Sequence, residues 1–119
     1  TIDVPYMELD EAVEVCDVVM MLRVQNERHD RKMSMTNEEY NEKYGINEKR
    51  VARMKDDAIL MHPAPMNRGV EITDACVEGD KSVIFEQMAN GVFIRMSILE
   101  QLIQGDEERA LKKSKVMAR

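Results

Sequence analysis

Hydrophobic positions along the chain follow two alternating patterns. Continuous apolar runs occur at 18–22 (VVMML) and 58–61 (AILM), and such runs are typical of strands buried on both faces of a parallel sheet. Helical spacing appears at 12–16 and again over 86–104, where the stripe consists of Met88, Val92, Met96, Leu99 and Ile103. This alternation of strands and helices predicts an α/β fold with a parallel sheet and flanking helices.

Short polar signals predict where the central helices begin. Thr36 followed by Glu39 forms a capping box, which predicts a helix from Asn37 to about Tyr44 with Gly45 as its C-terminal stop. Asn47 is expected to cap a second short helix in the same way. Both helices lie between the two apolar runs.

The remaining boundaries rest on weaker signals. Asp10 is a plausible N-cap for the first helix, and Thr73 with Asp74 can start another. Residues 82–85 fit either a short strand or the start of the last helix. We expect Gly105 to end that helix, which divides the chain into a domain portion at 1–104 and a charged tail at 105–119.

Composition narrows the classes of partner and cofactor. The net charge is −6 and the pI is near 5.0, which argues against nucleic acid or an anionic membrane as the main partner. No apolar run approaches the ~20 residues that cross a bilayer. Cys16 and Cys76 lack the spacing of a zinc site, and reduced thiols of a cytoplasmic protein are the simpler interpretation. We therefore expect no metal and no cofactor.

The first candidate for binding chemistry follows the first apolar run. If the segment RVQNER stays extended, Arg23, Gln25 and Glu27 point to one side. Arg23 could then bind a carboxylate through two hydrogen bonds, Gln25 could bind a second polar group, and Glu27 could orient the guanidinium. The alternative is a solvated charged loop whose surface ion pairs contribute little.

The second candidate follows the other apolar run, in the segment HPAPMNRG. Pro63 and Pro65 exclude a helix and hold the carbonyls around Ala64 in one geometry, which suits a substrate amino or amide group. Arg68 either holds an anion or locks the loop. The alternative is a structural turn in which His62 is satisfied by hydrogen bonds.

Three segments, in order, resemble the catalytic chain of the aspartate carbamoyltransferase family in its bacterial form: DVVMMLRVQNERHD, MHPAPMNRGVEI and NGVFIRMSIL. The similarity runs from about Tyr6 to Leu102, and together the three segments are far more specific than any one of them. The related ornithine enzymes usually carry a cysteine in an HCLP-type loop. The HPAP loop of this chain therefore favours the branch that uses aspartate.

The resemblance implies a cytoplasmic transferase of pyrimidine synthesis, which moves a carbamoyl group from carbamoyl phosphate to the amino group of L-aspartate. It further implies a three-layer, Rossmann-like second domain and a homotrimer, with association to other pyrimidine-pathway subunits left open. By position, Arg23 and Gln25 would bind aspartate and Glu27 would orient Arg23. The carbonyls of Pro63, Ala64 and Pro65 would face the carbamoyl group and the amine.

The resemblance also implies that much of the site lies outside this chain. The family's phosphate-binding residues and oxyanion donors belong to its first domain, so we assign no catalytic residue here. The chain starts at Thr1 without a start methionine, and we expect it to be a fragment that is inactive alone. The alternatives are a complementation piece that acts only with the missing portion, or a small-molecule binding module without chemistry.

Overall fold

A computed structural model describes residues 5–25 and 35–117, with side chains as far as Gly105. The chain divides into two compact units, Thr1–Gln87 and Met88–Arg119. The elements, in chain order, are α1 (Leu9–Val15), β1 (Val18–Met20), α2 (Asn37–Tyr44), α3 (Glu48–Val51), β2 (Ile59–Met61), α4 (Asp74–Val77) and α5 (Ile84–Met117).

A parallel pair of strands lies at the centre of the first unit. β1 pairs with β2 in the register Val18↔Ile59, Val19↔Leu60 and Met20↔Met61. A further parallel bridge joins Leu60 to Ser82, so the ambiguous segment at 82–85 places one residue beside the sheet before α5 begins at Ile84. The predicted α/β class with a parallel sheet and flanking helices is confirmed.

The core lies on one side of this sheet. Val19 and Leu60 are buried in a cluster with Val13, Ile46 and Ile72, among others. The prediction that the first apolar run is buried on both faces is wrong for the described residues, because Val18 and Met20 are 49% and 51% exposed. In a strand, alternate side chains point to opposite faces, and the face that carries Val18 and Met20 stays about half exposed, with Gln87 Nε2 3.8 Å from Met20 Sδ.

The predicted caps of α2 and α3 are confirmed. Thr36 Oγ1 accepts a hydrogen bond from the Glu39 N–H at 3.2 Å, and Glu39 Oε2 accepts one from the Thr36 N–H at 2.8 Å. Asn47 Oδ1 accepts a hydrogen bond from the Arg50 N–H at 3.2 Å. Each bond satisfies an N–H group that the first turn of a helix leaves without a partner.

Gly45 does end α2, but for a reason other than left-handed backbone. Its φ is −90°, which any residue adopts. A Cβ atom placed there would lie 2.5 Å from Asn41 Nδ2 and 2.7 Å from the Val70 carbonyl oxygen. Asn41 Nδ2 donates a hydrogen bond to that same oxygen at 2.9 Å. Glycine is therefore needed because two segments approach each other closely at this point.

The prediction that Asp10 caps α1 is wrong. The N-cap is Glu8, which makes no side-chain cap hydrogen bond, and Asp10 lies in the first turn. The Asp10 carboxylate instead accepts hydrogen bonds from the buried Arg50, at 3.1 and 3.2 Å, and from Arg53 at 2.8 Å. The hydrogen bond from Arg50 is the main cause that lowers the pKa of Asp10. Asp10 therefore ties α1 to α3.

The prediction that Gly105 ends the last helix is also wrong, since α5 continues to Met117. Gly105 does not adopt a left-handed φ. A helical glycine costs about 1 kcal/mol relative to alanine, and the helix-forming residues that follow can offset that cost. The stripe predicted from spacing is helical and exposed, with more than half of the surface accessible at Val92, Met96, Leu99 and Ile103. The division of the chain at 104/105 stays a prediction.

None of the helices in the described ranges combines the length and the apolar character that crossing a membrane requires.

The close approach at Gly45 generates a prediction about stability. Gly45→Ala should lower the free energy of unfolding by about 1–3 kcal/mol, because the added methyl group overpacks against backbone. Gly105→Ala is the matched control and should be neutral or stabilising by up to about 1 kcal/mol, because its added Cβ meets no other segment and alanine favours a helix over glycine. Urea denaturation followed by circular dichroism measures both. Equal stability of the Gly45→Ala variant and the unaltered chain would contradict the packing argument.

Candidate functional site

The two predicted binding segments follow the two paired strands. The Met21 N–H donates to the Met61 carbonyl oxygen at 3.0 Å, which carries the pairing just past the end of both strands. Because the strands are parallel, the loops that leave their carboxyl ends emerge at the same edge of the sheet. This edge is where open α/β sheets bind ligands.

Direct hydrogen bonds join the two loops. Asn67 Nδ2 donates to the Val24 carbonyl oxygen at 2.8 Å. The buried carboxylate of Glu71 accepts from the Asn67 N–H at 2.6 Å and, through its other oxygen, from the Val24 N–H at 3.5 Å. Val24 is flanked by Arg23 and Gln25, whose side chains are both exposed. The structure thus brings the two predicted loops together, while Glu27 lies outside the described residues.

The buried side chain of His62 holds the backbone of the HPAP loop. Its ring is fully buried, and its backbone N–H donates to Gln87 Oε1 at 2.9 Å. Nδ1 accepts a hydrogen bond from the Ala64 N–H at 2.9 Å, so in a neutral ring the proton resides on Nε2. Nε2 has no hydrogen-bond partner among the described residues and lies 3.4 Å from Glu71 Oε1. His62 is thus only partly satisfied.

The backbone of the HPAP loop is held in an unusual conformation. Ala64 has a φ of 54°, in the left-handed region that residues with a Cβ seldom occupy, and the Ala64–Pro65 peptide bond is cis. A left-handed alanine persists only where surrounding interactions hold it, and the bond from its N–H to His62 is one of these. Pro63 and Pro65 are exposed beside it. The carbonyls of this loop are therefore presented in a fixed arrangement.

Glu71, Asn67 and Gln87 were not singled out by the sequence. Asn67 and Glu71 lie 43 and 47 residues from Val24, and no local pattern signals a contact over that distance. One weak signal exists, because Glu71 stands between the apolar residues Val70 and Ile72. A lone carboxylate in an apolar run requires a buried hydrogen-bonding partner or a function.

The structure favours the locking role for Arg68. Its guanidinium pairs with Asp74 and Glu78, each at 2.9 Å, and these hydrogen bonds, that of Asp74 first, raise its pKa. Both carboxylates belong to α4 or its C-terminal cap, so Arg68 ties the second loop to that helix. Separately, residues 5–25 and 35–117 contain no cluster of three histidine, cysteine or carboxylate side chains that could hold a metal ion.

The family comparison bears on this pair of loops. A model of the aspartate/ornithine carbamoyltransferase Asp/Orn binding domain matches residues 2–102, which include both loops and both strands. The chain belongs to this family.

Curated relatives point to the aspartate branch. The chain is 51% identical over 108 residues to the aspartate carbamoyltransferase catalytic subunit of Staphylococcus carnosus, a match that covers 91% of this chain and 36% of the relative. It is 54% identical over 105 residues to that of Listeria monocytogenes, covering 88% of the chain and 35% of the relative. The chain thus spans about a third of the length of these relatives.

Solved structures agree in fold. The aspartate transcarbamoylase of Trypanosoma cruzi in complex with carbamoyl phosphate superposes with a TM-score of 0.62 at 33% identity, covering 76% of this chain and 27% of that one. The same protein in complex with aspartate and phosphate gives 0.58 at 31% identity, covering 79% and 26%. The HPAP loop and the names of the relatives therefore both favour the aspartate branch of the family.

The contacts of Arg68 generate a prediction that separates its two possible roles. In a chimera in which this chain replaces the matching segment of the Staphylococcus carnosus subunit, Arg68→Ala should leave the KM values of the chimera within about threefold, because the side chain pairs with protein carboxylates. Its melting temperature should fall by a few degrees at most, as expected for an exposed ion pair. Steady-state kinetics and a thermal scan measure these. A tenfold rise in either KM would instead assign Arg68 to anion binding.

Proposed function

We propose that this chain is the aspartate-binding portion of an aspartate carbamoyltransferase. The enzyme transfers a carbamoyl group from carbamoyl phosphate to the amino group of L-aspartate and releases phosphate. The observation that carries the proposal is the hydrogen-bonded junction of the two loops at the carboxyl edge of the sheet. That junction lies in a chain whose family and most similar relatives have this chemistry in their names.

Each residue that the sequence singled out in the two loops has a proposed role that suits its chemistry. Arg23 binds a carboxylate of aspartate, since a guanidinium offers two parallel donors to two oxygens. Gln25 assists through its amide, and Glu27 orients Arg23. The carbonyls of Pro63, Ala64 and Pro65 accept hydrogen bonds from the carbamoyl group and the attacking amine. The left-handed backbone at Ala64 supports this role, because it is held in place before any ligand arrives.

The chain contributes positioning rather than acid–base chemistry. The amine of aspartate attacks the carbamoyl carbon, and holding both substrates in line lowers the entropic part of the barrier. Donors for the developing oxyanion and for the phosphate are supplied by other parts of the enzyme. This division agrees with a chain that spans about a third of the length of its relatives.

The biological setting follows from the same proposal. The enzyme acts in pyrimidine synthesis in the cytoplasm and works as a homotrimer with no cofactor. The exposed apolar residues of α5 support an assembled state, because a stripe of this kind is usually covered in the working protein. The alternative function is a non-catalytic small-molecule binding or complementation fragment that acts only together with the rest of the enzyme.

A comparison of the isolated chain with a chimeric enzyme separates the two functions. The isolated chain should form no carbamoyl-aspartate, because substrate groups outside its loops would remain unbound. A chimera in which this chain replaces the matching segment of the Staphylococcus carnosus subunit should form it at a rate within about tenfold of the parent, a tenfold change being ~1.4 kcal/mol of barrier. A folded but inactive chimera would favour the non-catalytic function. Formation of carbamoyl-aspartate by the isolated chain would contradict the proposal that other parts of the enzyme supply the donors for the oxyanion and the phosphate.

Arg23 is tested in the same chimera. Arg23→Ala should raise the KM for L-aspartate by about 100-fold, because a charge-assisted pair of hydrogen bonds is lost. Arg53→Ala removes an arginine whose partners are Asp10 and Glu14, and serves as the matched control. An aspartate KM that is the same in both variants would exclude Arg23 from the binding site.

A further inference from the structure

A buried carboxylate stands at the junction of the two loops, where no role has been assigned to it. Glu71 is fully buried, and burying a charged carboxylate costs several kcal/mol unless hydrogen bonds replace its water. The described hydrogen bonds to Glu71 come from two backbone N–H groups, one in each loop. Burying this carboxylate therefore costs more free energy than burying an apolar side chain would.

The two backbone N–H groups that Glu71 binds lie in different loops. Oε1 accepts from Asn67 at 2.6 Å, the shortest of these contacts, and this bond anchors the carboxylate within its own loop. Oε2 reaches the Val24 N–H at 3.5 Å, 47 residues away in sequence. Asn67 itself donates to the carbonyl oxygen of Val24. Both polar groups of the Val24 backbone are therefore held from the second loop.

Holding Val24 affects the residues on either side of it. The two peptide planes on either side of a residue i limit the directions in which the side chains of residues i−1 and i+1 can point. Those planes carry the N–H and the C=O of Val24. Arg23 and Gln25 therefore point in a direction that Glu71 and Asn67 determine.

We propose that Glu71 is a positioning residue of the aspartate-binding site, which acts with Asn67 through the backbone of Val24 to aim Arg23 and Gln25 at the substrate. This inference rests on the function proposed above. It adds that Glu71, which does not touch aspartate, helps to set the affinity of the site for aspartate. His62 completes the arrangement, since Nε2 lies 3.4 Å from Glu71 Oε1 while Nδ1 binds Ala64. One carboxylate thus contacts both substrate loops.

The test uses the active chimera with two variants and one control. Glu71→Gln keeps the shape of the side chain but leaves one oxygen acceptor for two N–H groups. Asn67→Ala removes the bond to the Val24 carbonyl oxygen and, at a half-buried position, removes little core. Glu42→Gln is the control, an exposed glutamate whose partner is Lys49.

The expected result is a selective change in aspartate binding. Glu71→Gln should raise the KM for L-aspartate about tenfold and Asn67→Ala about threefold or more, as losing one buried hydrogen bond implies. In both variants kcat and the KM for carbamoyl phosphate should stay within about threefold, as should all three parameters in the control. A merely structural residue gives another signature, because partial unfolding lowers kcat and leaves both KM values unchanged.

Two outcomes overturn the inference, and they are distinguishable from failure of the proposed function. An aspartate KM unchanged in both variants, in a chimera that turns over, removes the positioning role while the function stands. A fall in kcat alone assigns Glu71 to folding. Absence of carbamoyl-aspartate from the unaltered chimera overturns the function and, with it, the inference. If Glu71→Gln does not fold, the Asn67→Ala result decides.

Discussion

The arrangement of the two loops depends on the hydrogen bonds of the buried Glu71 carboxylate. Two parallel strands bring two loops to one edge of a sheet, but parallel pairing alone leaves the loops free to separate beyond the last ladder bond. Glu71 and Asn67 close that gap with hydrogen bonds to both sides of Val24. The hydrogen bonds from the Asn67 N–H to Glu71 and from Asn67 Nδ2 to Val24 are short, at 2.6 and 2.8 Å, and leaving a buried carboxylate without such partners is costly. The site is therefore held by backbone groups beneath the residues that face solvent.

A second buried polar residue, Arg50, connects several elements of the same unit. Arg50 donates to the carbonyl oxygens of Asn41 and Gly45 at 3.2 and 2.7 Å, which satisfies the C-terminal end of α2. It also pairs with Asp10 in α1. The Ile46 N–H then donates to the Glu71 carbonyl oxygen at 2.9 Å, so this region connects directly to the residue at the loop junction. Arg50 and Glu71 hold the elements around the sheet in place.

Local signals in the sequence predicted the parts of the fold that local chemistry determines. The capping box at Thr36 and the cap at Asn47 each involve atoms within three residues, so a pattern reveals them. Asp10 and Gly105 were misjudged because tertiary ion pairing and helix continuation prevailed over local preference. Proline content and charge singled out both loops, and their binding roles stay predictions. Glu71 was missed because its importance arises only when residues far apart in sequence meet.

The most direct test is a crystal structure of the active chimera with a bound ligand that joins an aspartate moiety to a carbonyl group, such as N-(phosphonacetyl)-L-aspartic acid. The account predicts the aspartate carboxylates on Arg23 and Gln25, and the ligand carbonyl region beside Pro63, Ala64 and Pro65. Glu71 should remain between Val24 and Asn67. A ligand bound away from these loops, or one contacted while Glu71 has left the junction, would contradict it.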